Sequence, residues 1–157
     1  MEKILPWEKL KARLESLKKA GKRIVFTNGC FDIIHVGHVS YLEKAKELGD
    51  VLVVGLNSDA SVASLKGPSR PIVPEQERAY VVSALESIDY VTIFEEDTPQ
   101  KLIEYLKPHI LVKGGDWSPD ELAGRDVVEK VIIIPMIEGA STTDTISRIE
   151  TRVRNKE

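Results

Sequence analysis

The chain has 157 residues, 42% of them hydrophobic and 30% charged, with a net charge of −3. That is enough for one domain with a real core and too little for two ordinary ones, so we expect a single domain over 1–157, a leading helix in 1–21 and a core in 22–157. The acidic balance leaves no basic surplus for a nucleic-acid backbone, the lone Cys30 excludes an internal disulfide and a multi-cysteine zinc site, and no apolar run approaches the length of a membrane span. The N-terminus lacks the apolar segment of a secretory signal, so a cytoplasmic location is expected.

The leading helix is predicted over 6–20. Pro6 suits its first turn, Trp7, Leu10, Leu14 and Leu17 share one face, and Gly21 is a natural stop. That face must be buried on its own domain or across a two-fold interface, and a homodimer is the expected arrangement. Short strands rich in Val, Ile and Leu follow at 23–28, 51–56, 90–94, 110–113 and 130–135. Helices are predicted at 37–48, 75–87, 99–107 and 142–154, with a short turn near 119–123. The last helix carries Ile146, Ile149 and Val153 at helical spacing. Strands that are apolar without alternation belong in a sheet covered on both faces. Alternating strands and helices imply an α/β fold, a Rossmann-like doubly wound parallel sheet of five strands.

Ligands of such sheets bind beyond the carboxyl ends of the strands, where the strand order reverses. Every chemistry-bearing segment of this chain follows a strand. The first strand leads through Asn28-Gly29-Cys30-Phe31-Asp32 to His35-Val36-Gly37-His38, at the start of a helix. Unpaired amides and the helix dipole favour an anion there, and two imidazoles add donors, so a phosphate-handling site is the natural reading. A lone H-x-G-H arises by chance; the strand and the Asn-Gly turn before it are what shift the balance towards function. Cys30 has no base beside it in sequence and is expected to pack as a small residue.

After the second strand come Asn57 and Asp59, which either meet an acceptor or a sugar or form an Asx turn. The Lys66-Gly67-Pro68-Ser69-Arg70-Pro71 stretch is expected to be an irregular surface loop holding Lys66 and Arg70, with Arg78 at the start of the next helix as a further partner. These charges are equally consistent with plain solvated side chains. The fourth strand leads to Lys113-Gly114-Gly115-Asp116, where glycines let a ligand approach the backbone closely or simply make a tight turn. Ser141, Thr142 and Thr143 suit an N-cap, and their hydroxyls and amides also suit the β- and γ-phosphates of a nucleotide. His109, at the start of the fourth strand, is expected to be structural. Asp32 is the carboxylate nearest the histidines, yet no set of residues in the sequence makes a metal cage. Any Mg²⁺ is expected to arrive with a nucleoside triphosphate. No G-x-G-x-x-G follows the first strand, which disfavours an NAD-type reductase.

The H-x-G-H segment and the Ser/Thr-rich start of the last helix resemble the signatures of the HxGH nucleotidyltransferase superfamily, whose members move a nucleoside monophosphate from a triphosphate to an acceptor. In its second motif an arginine stands one place earlier than Arg148 does here. Beyond these boxes, the segments 27–32, 56–61, 65–67, 69–71, 94–99, 111–116 and 141–143 resemble the adenylyltransferase domain of the ADP-heptose pathway. The resemblance implies AMP transfer from ATP to D-glycero-β-D-manno-heptose 1-phosphate, with His35, His38 and Lys66 at the reacting phosphates. It implies nucleotide contacts from Asn28, Gly29, Cys30, Phe31, Asp32, Gly37, Lys113, Gly114, Gly115, Asp116, Ser141, Thr142 and Thr143. Asn57, Asp59, Arg70 and Arg78 fall to the acceptor. In many bacteria this domain is fused behind a sugar kinase, so a separate kinase is expected as a pathway partner, with neither nucleic acid nor membrane among the partners. Alternatives are a cytidylyltransferase for glycerol 3-phosphate or a similar compound, and a non-catalytic nucleotide-binding module.

Overall fold

The computed structural model describes residues 2–156; Met1 and Glu157, the ends of the expected domain, lie outside the described residues. Five strands, β1 (Ile24–Gly29), β2 (Val51–Asn57), β3 (Tyr90–Phe94), β4 (Ile110–Gly114) and β5 (Lys130–Ile134), form one parallel sheet in the order β3-β2-β1-β4-β5. The helices are α1 (Trp7–Lys19), α2 (Val36–Lys46), α3 (Asp59–Lys66), α4 (Glu75–Ser83), α5 (Gln100–Leu106) and α6 (Thr142–Arg154). A 3₁₀ turn spans Pro119–Glu121. The doubly wound sheet expected from the sequence is the one observed.

Successive side chains of a strand point to opposite faces, and here both faces are covered. Phe26, Val53 and Phe94 pack with Leu10 and Leu14 of α1 and Leu102, Ile103 and Leu106 of α5. Val25, Leu52, Val54 and Val91 pack with Leu42 and Ala45 of α2 and Ala79 and Val82 of α4. The leading helix therefore buries its apolar face on its own chain, and the indole of Trp7 donates to the Ile93 carbonyl at 2.9 Å. An unburied apolar face on α1, the ground for expecting a two-fold interface, is therefore absent among the described residues. Just ahead of α1, the Leu5 amide bonds the Val91 carbonyl at 3.0 Å and the Val91 amide bonds the Lys3 carbonyl at 2.9 Å. These bonds cover the β3 edge, which would otherwise offer unpaired groups to another chain.

Element ends differ from expectation by a residue or two, and α4 stops at Ser83 where a helix to 87 was expected. One element was not anticipated at all. Helix α3 is held by Ser58, whose Oγ accepts the Ser61 amide at 3.1 Å, and it ends at Gly67, whose φ of +99° suits glycine. Lys66, expected on a loop, is thus the last residue of a helix. The apolar positions of α6 also behave differently, since no residue of that helix is buried and Ile149 and Val153 remain more than half exposed.

The chain enters the sheet at its centre, builds outward through β2 and β3, then crosses back to β4 and β5. The reversal falls between β1 and β4. Six residues of β1 pair with β2, but only Val25 and Phe26 pair with β4, opposite Ile110 and Leu111. Beyond Phe26 the two strands part, and that split opens the crevice described below.

Leu14 is fully buried between α1 and the sheet. Leu14→Ala is expected to lower the unfolding free energy by about 2–5 kcal/mol in urea titration without changing the molecular mass in light scattering. A changed mass at unaltered stability would place this face in a subunit contact instead.

Candidate active site

A cleft of about 590 Å³ opens at the carboxyl ends of the strands. Of the residues singled out in the sequence, Asn28, Gly29, Cys30, Phe31, Gly37, His38, Asn57, Lys66, Lys113 and Gly114 line it. Lys113 spans the split between β4 and β1, donating from Nζ to the Asn28 carbonyl at 3.3 Å, with its ammonium 5.9 Å from the centre of the Trp117 ring. Burial lowers the Lys113 pKa, and the nearby Lys66 charge lowers it further against an opposing contribution from Cys30.

The two histidines are fixed by the start of α2. His35 is its N-cap, and its Nδ1 accepts the Gly37 amide at 3.1 Å. The Nδ1 of His38 in turn accepts the His35 amide at 3.4 Å. An accepting Nδ1 carries no proton, so in each neutral ring the hydrogen sits on Nε2, which is left to donate to a ligand. The rings stack with centres 3.8 Å apart, and Phe31 packs against His38 at 5.2 Å. Phe31 reaches that position through a left-handed backbone, φ +47°, which a bulky residue rarely adopts. Gly37 allows the pair to form, because a Cβ there would lie 2.9 Å from the His35 ring and 3.1 Å from the Ala140 carbonyl.

That contact with Ala140 brings the start of α6 against the start of α2. Ser141 caps α6, its Oγ accepting the Asp144 amide at 3.0 Å, while the Thr142 hydroxyl donates to the Ile33 carbonyl at 3.2 Å. Ser141, Thr142 and Thr143 stand outside the cleft lining, as do His35, Gly115 and Asp116.

Four further residues expected at the ligand are engaged by the protein itself. Asp32 is buried, and its carboxylate accepts the amides of Ile72 and Val73 at 2.9 Å and Arg70 Nε at 3.0 Å. Burial alone would raise its pKa; the two amides and the guanidinium outweigh this and hold it below the ordinary carboxylate range. Arg70 is therefore tied to Asp32, although its Nη2 is buried with no partner among the described residues. Arg78 is fully buried and donates to the carbonyls of Val73 (2.8 Å), Cys30 (2.6 Å) and Asn57 (2.9 Å), and to Asp59 Oδ1 at 2.7 Å. Such a guanidinium has no reach left for an acceptor, and Asp59 serves as its counter-ion. His109 is structural: its Nδ1 accepts the Ile24 amide at 2.9 Å.

Among the described residues no group of three or more His, Cys, Asp or Glu side chains could hold a metal ion. Asp32, the carboxylate nearest the histidines in sequence, is committed to the 70–73 loop. No helix of the described residues is long and apolar enough to cross a membrane.

The sequence did not single out Tyr41, Asp97, Thr98, Leu122, Ala123 and Met136, which also line the cleft. Tyr41 reads as a core position of α2, yet its hydroxyl meets Thr27 Oγ1 at 2.5 Å below the crevice, and burial pushes its pKa up. Leu122 and Ala123 arrive because the β4–β5 connection folds onto α5. The Gly124 amide donates to Gln100 Oε1 at 2.5 Å, and a Cβ on Gly124 would lie 2.4 Å from Ile103 Cδ1. The glycine and the helix at 99–107 were both visible in the sequence; their contact was not.

Burial, then the His35 ring, then the Lys66 charge lower the His38 pKa from 6.5 to about 4. His38 is therefore neutral throughout the physiological range. The unfolded chain takes up this proton near pH 6.5 and the folded one only near 4, so this contribution to stability is complete above 6.5 and is lost as pH falls towards 4. The His38 imidazole resonance is expected to titrate with a midpoint near 4 in NMR. A midpoint near 6.5 would contradict the packing described.

Comparisons with known proteins fit this geometry. The family model described as cytidylyltransferase-like matches residues 26–154. The bifunctional protein HldE of Syntrophotalea carbinolica is 57% identical over 146 residues, covering 90% of this chain and 30% of that protein. HldE of Geobacter sulfurreducens is 55% identical over 136 residues, 84% of this chain and 28% of that one. The chain thus spans about 30% of the length of the curated relatives it matches. Among solved structures, the lipopolysaccharide core biosynthesis protein from Thermoplasma volcanium superposes with a TM-score of 0.65 at 31% identity, over 75% of this chain and all of that one. A pantoate-β-alanine ligase from Francisella tularensis shares the fold at a TM-score of 0.62 and 16% identity, over 93% of this chain and 76% of that one.

Proposed function

We propose, from the premise that the chain belongs to the cytidylyltransferase-like family of nucleotidyltransferases, that it transfers AMP from ATP to D-glycero-β-D-manno-heptose 1-phosphate. The products are ADP-heptose and pyrophosphate. Similarity to HldE proteins and to a lipopolysaccharide core biosynthesis protein supports a role in supplying heptose for lipopolysaccharide. The observation that carries the reading is the stacked His35–His38 pair, each with Nδ1 bound to a backbone amide and Nε2–H left to donate at a helix N-terminus.

In this account the triphosphate enters with its own Mg²⁺ as part of the substrate. Its phosphates meet the start of α2, His38 and, behind it, His35. Lys66 bridges towards the acceptor phosphate, and Lys113 and Gly114 stand on the nucleotide's side of the crevice. An oxygen of the acceptor phosphate attacks the α-phosphorus, forming the new P–O bond as the bond to the β-phosphate oxygen breaks, and pyrophosphate leaves with the electron pair. The attacking oxygen is already an anion, so no strong general base is required. The protein's contribution is alignment and donation to charge that builds on the phosphoryl oxygens. Neutral imidazoles suit this work, since they donate hydrogen bonds without needing a proton from solvent.

Pyrophosphate release should therefore require ATP, Mg²⁺ and heptose 1-phosphate together. His38→Ala should lower kcat by about 10²–10³-fold with the fold intact by circular dichroism. Release with CTP and glycerol 3-phosphate would keep the mechanism and replace the substrates. ATP binding by folded protein without any release would favour a nucleotide-binding module.

A further inference from the structure

Three of the four residues expected to meet the acceptor, Asp59, Arg70 and Arg78, are occupied by internal ion pairs. The acceptor's end of the cleft must therefore be read from other side chains. Asp97 is the candidate with nothing else to do. It lines the cleft, it is exposed, and its carboxylate has no hydrogen-bond or ion-pair partner among the described residues.

Its position is nonetheless well defined. Asp97 lies in the loop leaving β3, and that loop is fastened to the end of β2 by a short relay. The Ser58 amide donates to the Phe94 carbonyl at 2.9 Å, Asn57 Nδ2 donates to Ser61 Oγ at 2.9 Å, and Ser61 Oγ donates onward to the Glu96 carbonyl at 2.8 Å. Ser58 and Ser61 also cap and begin α3, the helix that ends in Lys66. One hydrogen-bonded unit thus carries the Asp97 carboxylate and the Lys66 ammonium on the lining of the same cleft, on the β2–β3 side of β1. The other carboxylate on the lining, Glu121, belongs to the 3₁₀ turn of the β4–β5 connection and takes no part in this relay.

An anionic carboxylate beside a phosphate-binding cation repels a second negative group and accepts hydrogen bonds from hydroxyls. We propose that Asp97 is the specificity-determining residue of the acceptor, accepting hydrogen bonds from the hydroxyls of a polyol whose phosphate lies towards Lys66, and excluding acceptors that carry a further acid group. The inference rests on the phosphoryl-acceptor reading given above.

The test is steady-state kinetics of Asp97→Ala and Asp97→Asn with heptose 1-phosphate and with a uronic acid 1-phosphate, alongside calorimetric titration of ATP. Asp97→Ala is expected to raise the acceptor KM by about ten- to a hundred-fold, the range for losing hydrogen bonds to a charged group, with kcat within about three-fold of wild type. Its ATP affinity should be unchanged. Asp97→Asn, which keeps the shape and removes the charge, should recover part of the loss and improve use of the uronic acid relative to the neutral sugar. An unchanged acceptor KM in Asp97→Ala, or a parallel loss of ATP binding, would overturn the assignment while leaving the transferase reading in place. A wild-type enzyme that releases no pyrophosphate with any sugar phosphate would overturn both.

Discussion

The site depends first on one buried guanidinium. Arg78, on α4, donates to carbonyls in three separate segments, Cys30 after β1, Asn57 at the end of β2 and Val73 in the loop before its own helix, and it pairs with Asp59 at the start of α3. Removing a guanidinium from water costs several kcal/mol, and charge-assisted hydrogen bonds return roughly 1.5–3 kcal/mol each. Only a nearly full set of partners makes such a burial tolerable, so the three segments are held in one mutual arrangement. Asp32 does the complementary work with opposite charge, collecting the Ile72 and Val73 amides and Arg70. Two charged side chains that touch the same 70–73 loop thus fix the floor from which the histidines rise.

On that floor the electrostatics favour uncharged imidazoles among fixed cations. Lys66 and the paired ring of His35 both work against a proton on His38, and burial works in the same direction. A negatively charged ligand meets donors already oriented by the backbone, with little reorganisation left for the reacting state. The split between β1 and β4 supplies the space, because a ladder that paired along its whole length would close it. Lys113 crosses the opening with its Nζ donating to the Asn28 carbonyl, and burial there lowers its pKa.

Much of this was legible in the sequence. The apolar strands, the helix starts and the convergence of motifs at strand ends follow from period, capping and glycine placement, and the sheet has the predicted character. What could not be read was the allocation of charged residues between ligand and scaffold. Asp32, Asp59, Arg70 and Arg78 sit in segments that look like site motifs, and nothing in their spacing says that they satisfy each other and the backbone. The cap that creates α3 was visible at Ser58, but weak helix formers such as Ser61 and Val62 hide a helix that docking and capping stabilise. Asp97 lies inside the 94–99 segment without standing out from it, since a lone loop carboxylate carries no signal until the relay that positions it is known.

The measurement that bears most directly on this account is backbone hydrogen–deuterium exchange in Arg78→Lys, which keeps a cation and removes the fork. If Arg78 is the common tie, protection at Ile72 and Val73 and in the 30–33 segment should fall together, while the α1–α5 face of the sheet stays protected. Unchanged exchange at 72–73, or an even loss across both faces of the sheet, would contradict it.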